Sequence, residues 1–250
     1  MDQRFDDPPA ASRLALPVGG VELSLIAGFD LRWQGRHVPV QVGAQQLIAC
    51  LALLERPAQR RYLAGTLWPD SPDGRAMANL RSTLWRMRRT GCPIVQRVGE
   101  QLALAPGVSV DVRELADLAH RVFDSSDSAD VAWLAHVAQG GELLPGWDQE
   151  WVVVERERLR QLRLHALELL CDRLAVAGQF GRAVETCLAA VAVEPLRESA
   201  RRALIKVYLA EGNVGEAVGQ YRAYRRLMRD ELGLTPSRQM EDLVRDLRIG

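Results

Sequence analysis

The stretch SPDGRAMANLRSTLWRMRRTGCP, residues 71–93, decides how the first half of the chain is read. Ser71 stands as an N-cap with Pro72 at the first helical position, and Gly91 and Pro93 close the far end, so a helix of about five turns is predicted from Ser71 to Thr90. Leu80, Leu84 and Met87 share one of its faces and must pack on neighbouring helices. The opposite face presents Arg75, Asn79, Ser82, Arg86 and Arg89, side chains that hydrogen-bond bases and phosphates. A helix that is merely solvated carries charges of both signs, whereas this one has no acid after Asp73. Trp85 either packs against the wing or faces the phosphate backbone, and partial burial is the favoured expectation because a large indole rarely stands open to water.

On either side of that helix the pattern completes a small domain. VELSLIA, FDLRW, a turn at Gln34-Gly35, and HVPVQV alternate apolar and polar residues as strands do. AQQLIACLALLE and RRYLAGTLW then carry leucines at helical spacing and predict two short helices. Beyond the arginine-rich helix, PIVQRVGEQLALAPG reads as two strands joined at Gly99-Glu100. Strands, three helices and a terminal hairpin make a winged helix-turn-helix.

The chain has 250 residues with a formal net charge of zero, which taken alone argues against a nucleic-acid partner. Distribution says otherwise. Arg60, Arg61, Arg75, Arg81, Arg86, Arg88, Arg89 and Arg97 face only Asp70 and Asp73 across that span. Arginine forks two hydrogen bonds to a phosphate or to the edge of guanine, a geometry lysine lacks.

From Asp111 onward the texture is helical without strands, beginning VDVRELADLAHRVF and breaking at DSSDSAD. LAVAGQFGRAVETCLAAVAVEP and LAEGNVGEAVGQYRAYRRLMRD align Gly178 with Gly212 and Ala183 with Ala217, both offset by 34 residues. That period, with small residues where paired helices meet, is the tetratricopeptide spacing. Cys171 with Ile205 and Leu174 with Tyr208 fill matching apolar slots. The fold class expected is therefore mainly α with small β elements: a flexible tail over residues 1–18, a winged helix-turn-helix over 19–110, and an all-α tetratricopeptide-like domain over 111–250.

The order of hairpin, helix, LAGTLW, a helix ending WRMRR and a β-wing resembles the DNA-binding domain shared by OmpR-type regulators and the Streptomyces antibiotic regulatory protein family. GELLPGWDQEWVVVERERLRQLRLHALELL and ELGLTPS resemble the opening helices and closing turn of the bacterial transcriptional activator domain. The resemblance implies a regulator that binds double-stranded promoter DNA, commonly at direct repeats, and recruits RNA polymerase. By that resemblance residues 71–90 form the recognition helix. Asn79, Ser82, Thr83 and Arg86 are then the candidate base readers; Arg75, Arg81, Arg88 and Arg89, with Arg60, Arg61 and Arg97, are the candidate phosphate contacts. The wing tip departs from the family, with Val98, Gly99, Glu100 and Gln101 in place of a Gly-Gly-Tyr-like turn. The helical repeats are expected to serve a homodimer or another regulatory protein.

Other classes find little support. No phosphate-binding loop, HExxH pair or GxSxG elbow occurs, so no catalytic residue, cofactor or metal is expected. His37, His120, His136 and His165 are scattered and read as solvated or core residues; Glu155–Arg158 reads as a solvated helical face. Tyr221, Tyr224 and Trp147 are either packing residues or anchors of a binding groove, with packing the favoured reading. Cys50, Cys92, Cys171 and Cys187 show no pairing motif and are expected as reduced thiols in a cytoplasmic protein with no membrane span. The alternative that the sequence leaves open is a protein adaptor that uses its helical repeats and has a weakened DNA-binding domain.

Overall fold

The computed structural model describes residues 20–124 and 141–245. The expected tail, most of the DSSDSAD break and His136 lie outside the described residues. Within these, the chain divides into two compact units: the first takes residues up to Leu23 and Asp30–Ser109, the second Ser24–Phe29 and the chain from Val110.

The first unit opens with β1 (Val21–Ser24), β2 (Asp30–Trp33) and β3 (Arg36–His37). β2 and β3 form an antiparallel hairpin whose turn residues, Gln34 and Gly35, have φ of 51° and 75°, the positive pair that a two-residue hairpin turn demands. HVPVQV, expected as a strand to Val42, pairs only at its first residues. Pro39 has no N–H to give to a ladder, and the chain turns into α1 (Val42–Leu54) instead. The eight residues of α1 buried among Ala44–Leu53 make it the centre of this core. β4 (Ala58–Gln59) and α2 (Arg60–Leu67) follow, with Leu63, Ala64 and Leu67 buried.

The arginine-rich helix, α3, spans Asp73–Arg88. Its N-cap is Pro72 with ψ 145°, one residue later than the expected Ser71; the extended backbone of Pro72 leads into the first turn without a side-chain cap. Gly91 at φ 74° ends the segment, as expected of a left-handed stop. β5 (Val95–Val98) and β6 (Gln101–Leu104) pair antiparallel around Gly99-Glu100, and β4 joins β6 to make a three-stranded sheet in the order β4-β6-β5. With β7 (Ser109–Val110), the other sheet runs β3-β2-β1-β7.

The second unit is helical: α4 (Asp111–Asp124), α5 (Glu150–Val176), α6 (Phe180–Val193), α7 (Glu198–Glu211), α8 (Val214–Leu232) and α9 (Arg238–Val244). Consecutive helices from α5 to α8 pack on one another. Gly178 and Gly212 take φ of 72° and 90° at the equivalent turns, and Ala183 and Ala217 are both fully buried, as the repeat predicted. Tyr221 and Tyr224 are core residues packed with Ile205, Met228 and Met240, the Tyr224 hydroxyl donating to the Leu196 carbonyl at 3.2 Å.

Two expectations fail here. Cys171 and Cys187 are not reduced thiols but a disulfide. The α5–α6 hairpin runs its helices side by side and brings the two Cα atoms to 5.9 Å, a proximity with no trace in a spacing of 16 residues. Cys50 and Cys92 are free and buried. Glu155–Arg158 is also more than a solvated face: Arg156 donates to the carbonyls of Leu143, Leu144 and Trp147 and pairs with Glu142 at 2.8 Å, clamping the loop ahead of α5.

Candidate nucleic-acid interface

The helix α3 is anchored by a stripe of Ala76, Leu80 and Met87, all buried, with Met77 and Leu84 half-buried beside it. It packs against α2 and α1. Because that stripe occupies one side, the residues between must face outward. Arg75, Arg81, Ser82, Arg86, Arg88 and Arg89 are exposed, while Asn79 and Thr83 are half-buried at the rim. Seven of the eleven predicted site residues thus lie on this one helix and an eighth, Arg89, is its C-cap, while the remaining three, Arg60, Arg61 and Arg97, come from α2 and β5.

Their immediate partners differ. Arg86 donates to the Gln41 side-chain oxygen at 2.6 Å, at the mouth of a cavity of about 220 Å³ that Thr83 and Gly43 also line. Arg61 pairs with Asp73 at 2.6 Å, which joins the first turns of α2 and α3. The Arg89 guanidinium lies 5.0 Å from the centre of the Trp85 ring. Arg60 is half-buried, its Nε enclosed without a hydrogen-bond partner among the described residues. Arg97 is folded back on its own hairpin turn: it donates to the Gly99 carbonyl at 2.6 Å and pairs with Glu100. The side chains of Arg75, Arg81 and Arg88 form no hydrogen bond or ion pair among the described residues.

Two residues of this surface escape a reading of the sequence. Gln41 stands 45 residues before the arginine it holds, and nothing in its neighbourhood signals that contact. Trp85, expected to be partly buried, is 58% exposed; it follows the core-facing Leu84 and is carried past the edge of the buried stripe.

The profile of the bacterial transcriptional activator domain matches residues 112–248. The chain belongs to that family. Of its curated relatives, the regulatory protein AfsR of Streptomyces coelicolor is 31% identical over 207 residues, 79% of this chain and 21% of AfsR. AfsR of Streptomyces griseus is 27% identical over 222 residues, 84% of this chain and 23% of that protein. The chain thus spans about a fifth of the length of these relatives. Among solved structures, Mycobacterium tuberculosis EmbR in complex with a low-affinity phosphopeptide aligns with a TM-score of 0.71 at 18% identity, over 89% of this chain and 63% of EmbR.

The activator-domain family and these relatives make the chain a member of the regulators that resemble the Streptomyces antibiotic regulatory proteins. Its architecture is the expected one, a winged-helix N-terminal part followed by a helical domain. No described helix of this activator-domain protein is long and apolar enough to cross a membrane.

Proposed function

We propose that this regulator binds double-stranded promoter DNA in a sequence-specific way, with residues 19–110 as the DNA-binding domain and α3 entering the major groove. The observation that carries the reading is the outward face of α3, where arginines stand opposite a buried Ala76–Leu80–Met87 stripe with no acid between Gly74 and Arg89. Such a face presents fork-shaped donors on a rigid element narrow enough for the groove. Asn79, Ser82, Thr83 and Arg86 read base edges. Arg75, Arg81, Arg88 and Arg89 set the register on phosphates, with Arg60 and Arg61 beside them. Residues 111–250 contact RNA polymerase, a second copy of the chain or another regulator, and the chain acts as a non-enzymatic activator.

A second reading, an adaptor with a weakened DNA-binding part, draws on one feature: Arg97 is committed to Glu100, which leaves the hairpin tip without a free cation. A gel-shift titration against DNA from the neighbourhood of the protein's own gene, at two salt concentrations, separates the two. As a DNA reader the chain binds selectively, and Arg86→Ala weakens binding by about 1–3 kcal/mol. An adaptor is indifferent to the change and does not bind at low salt.

A further inference from the structure

Trp85 sits in the last turn of α3 with 58% of its surface open to solvent. Its indole is steadied by the Arg89 guanidinium 5.0 Å from the ring centre, a cation–π contact that fixes the ring's position without covering it. Ala78, seven residues earlier and also exposed, falls within about 20° of Trp85 around the helix axis. A short apolar line therefore runs along a face otherwise built from Arg75, Ser82, Arg86 and Arg89. Neither residue of that line packs into the Ala76–Leu80–Met87 core, so folding does not account for it.

An apolar line on a helix that lies in the major groove meets one apolar group on the base edges, the 5-methyl of thymine. We propose that Trp85 is a specificity-determining residue that packs against thymine 5-methyl groups, with Arg89 holding the indole in place and Ala78 extending the contact. The inference rests on the reading of α3 as a major-groove helix. It assigns Trp85 a role distinct from that of the arginines and Ser82 on the same face, which select hydrogen-bond donors and acceptors.

The test uses the full chain and duplexes enriched on it from a random-sequence library, with each thymine replaced in turn by deoxyuridine, which lacks only the methyl. The wild-type chain loses about fourfold in affinity at each contacted thymine, the value of one buried methyl group. Trp85→Ala binds the thymine and deoxyuridine duplexes alike, and Trp85→Phe, which keeps an aromatic face, retains part of the difference. The proposal is overturned if the enriched sites lack thymine, if no deoxyuridine replacement weakens the wild type, or if Trp85→Ala shows the same loss; in each case DNA binding itself stands. Failure to enrich any sequence instead overturns the DNA-binding reading, and this role with it.

Discussion

Asp111 shows how much one residue organises. Its carboxylate accepts backbone N–H groups of Leu25 at 2.9 Å, Ile26 at 3.0 Å and Val112 at 2.7 Å, and so ties the segment after β1 to the start of α4. Those bonds also explain why VELSLIA stops being a strand at Ser24, since the next two N–H groups are taken by a side chain rather than a ladder. Burial pushes the carboxyl up to about 6, against the opposite pull of the three N–H donors. The folded state thus holds this proton more tightly than the unfolded chain, whose value is 3.8. The stability that this group contributes is full below about pH 4 and is lost as the pH rises through about 6, on the order of 2–3 kcal/mol. Urea unfolding at pH 4.5 and pH 7 should show that loss in the wild type and not in Asp111→Asn, which has no proton to release; equal slopes for the two would remove Asp111 as the source. Such a shift could not be read from the sequence, where Asp111 stands simply as the first residue of a helical stretch.

Among the elements, the α5–α6 hairpin and α3 illustrate opposite relations between pattern and contact. The glycines and alanines of the repeat place the turns and the close approaches of α5 to α8 because each needs a small residue locally, and that need is visible in a spacing of 34. The Cys171–Cys187 bond depends on the relative rotation of two helices, and the same cysteines at the same spacing read equally well as apolar fillers. Closing a loop of this length constrains the unfolded chain, so reduction should lower the unfolding free energy by about 2–4 kcal/mol. Urea titrations of the oxidised and dithiothreitol-treated chain measure the difference, and identical midpoints would show that the bond contributes nothing. In α3 the apolar spacing placed Leu80 and Met87 in the buried stripe, with Leu84 half-buried at its edge and Ala76 completing it, and hence directed the arginines outward. The partner of each arginine was hidden, since Gln41, Asp73 and Trp85 reach Arg86, Arg61 and Arg89 through the packing of α1, α2 and α3 or through side-chain rotamers.

For the molecule as a whole, a net charge of zero conceals a cluster of arginines over residues 60–97, and affinity for a polyanion follows the local field rather than the sum. If Arg81 and Arg88 contact phosphates, replacing either with alanine weakens binding to all sequences alike and flattens the plot of log affinity against log salt by about one unit. Unchanged slopes would place both arginines away from the backbone. The sequence by itself determined the fold class and the order of winged-helix and helical parts, because these depend on periodicity, turn residues and small-residue spacing, which are local properties of the chain; the family was legible through the resemblance of whole motifs such as GELLPGWDQEWVVVERERLRQLRLHALELL and ELGLTPS. The tertiary structure decided which arginines are held and which are open, that Trp85 stands in solvent, that Cys171 meets Cys187, and that Ser24–Phe29 belongs with the helical unit. Each of those depends on how elements rotate and pack against one another, and a one-dimensional pattern specifies the buried face of a helix without specifying what its neighbours bring to it.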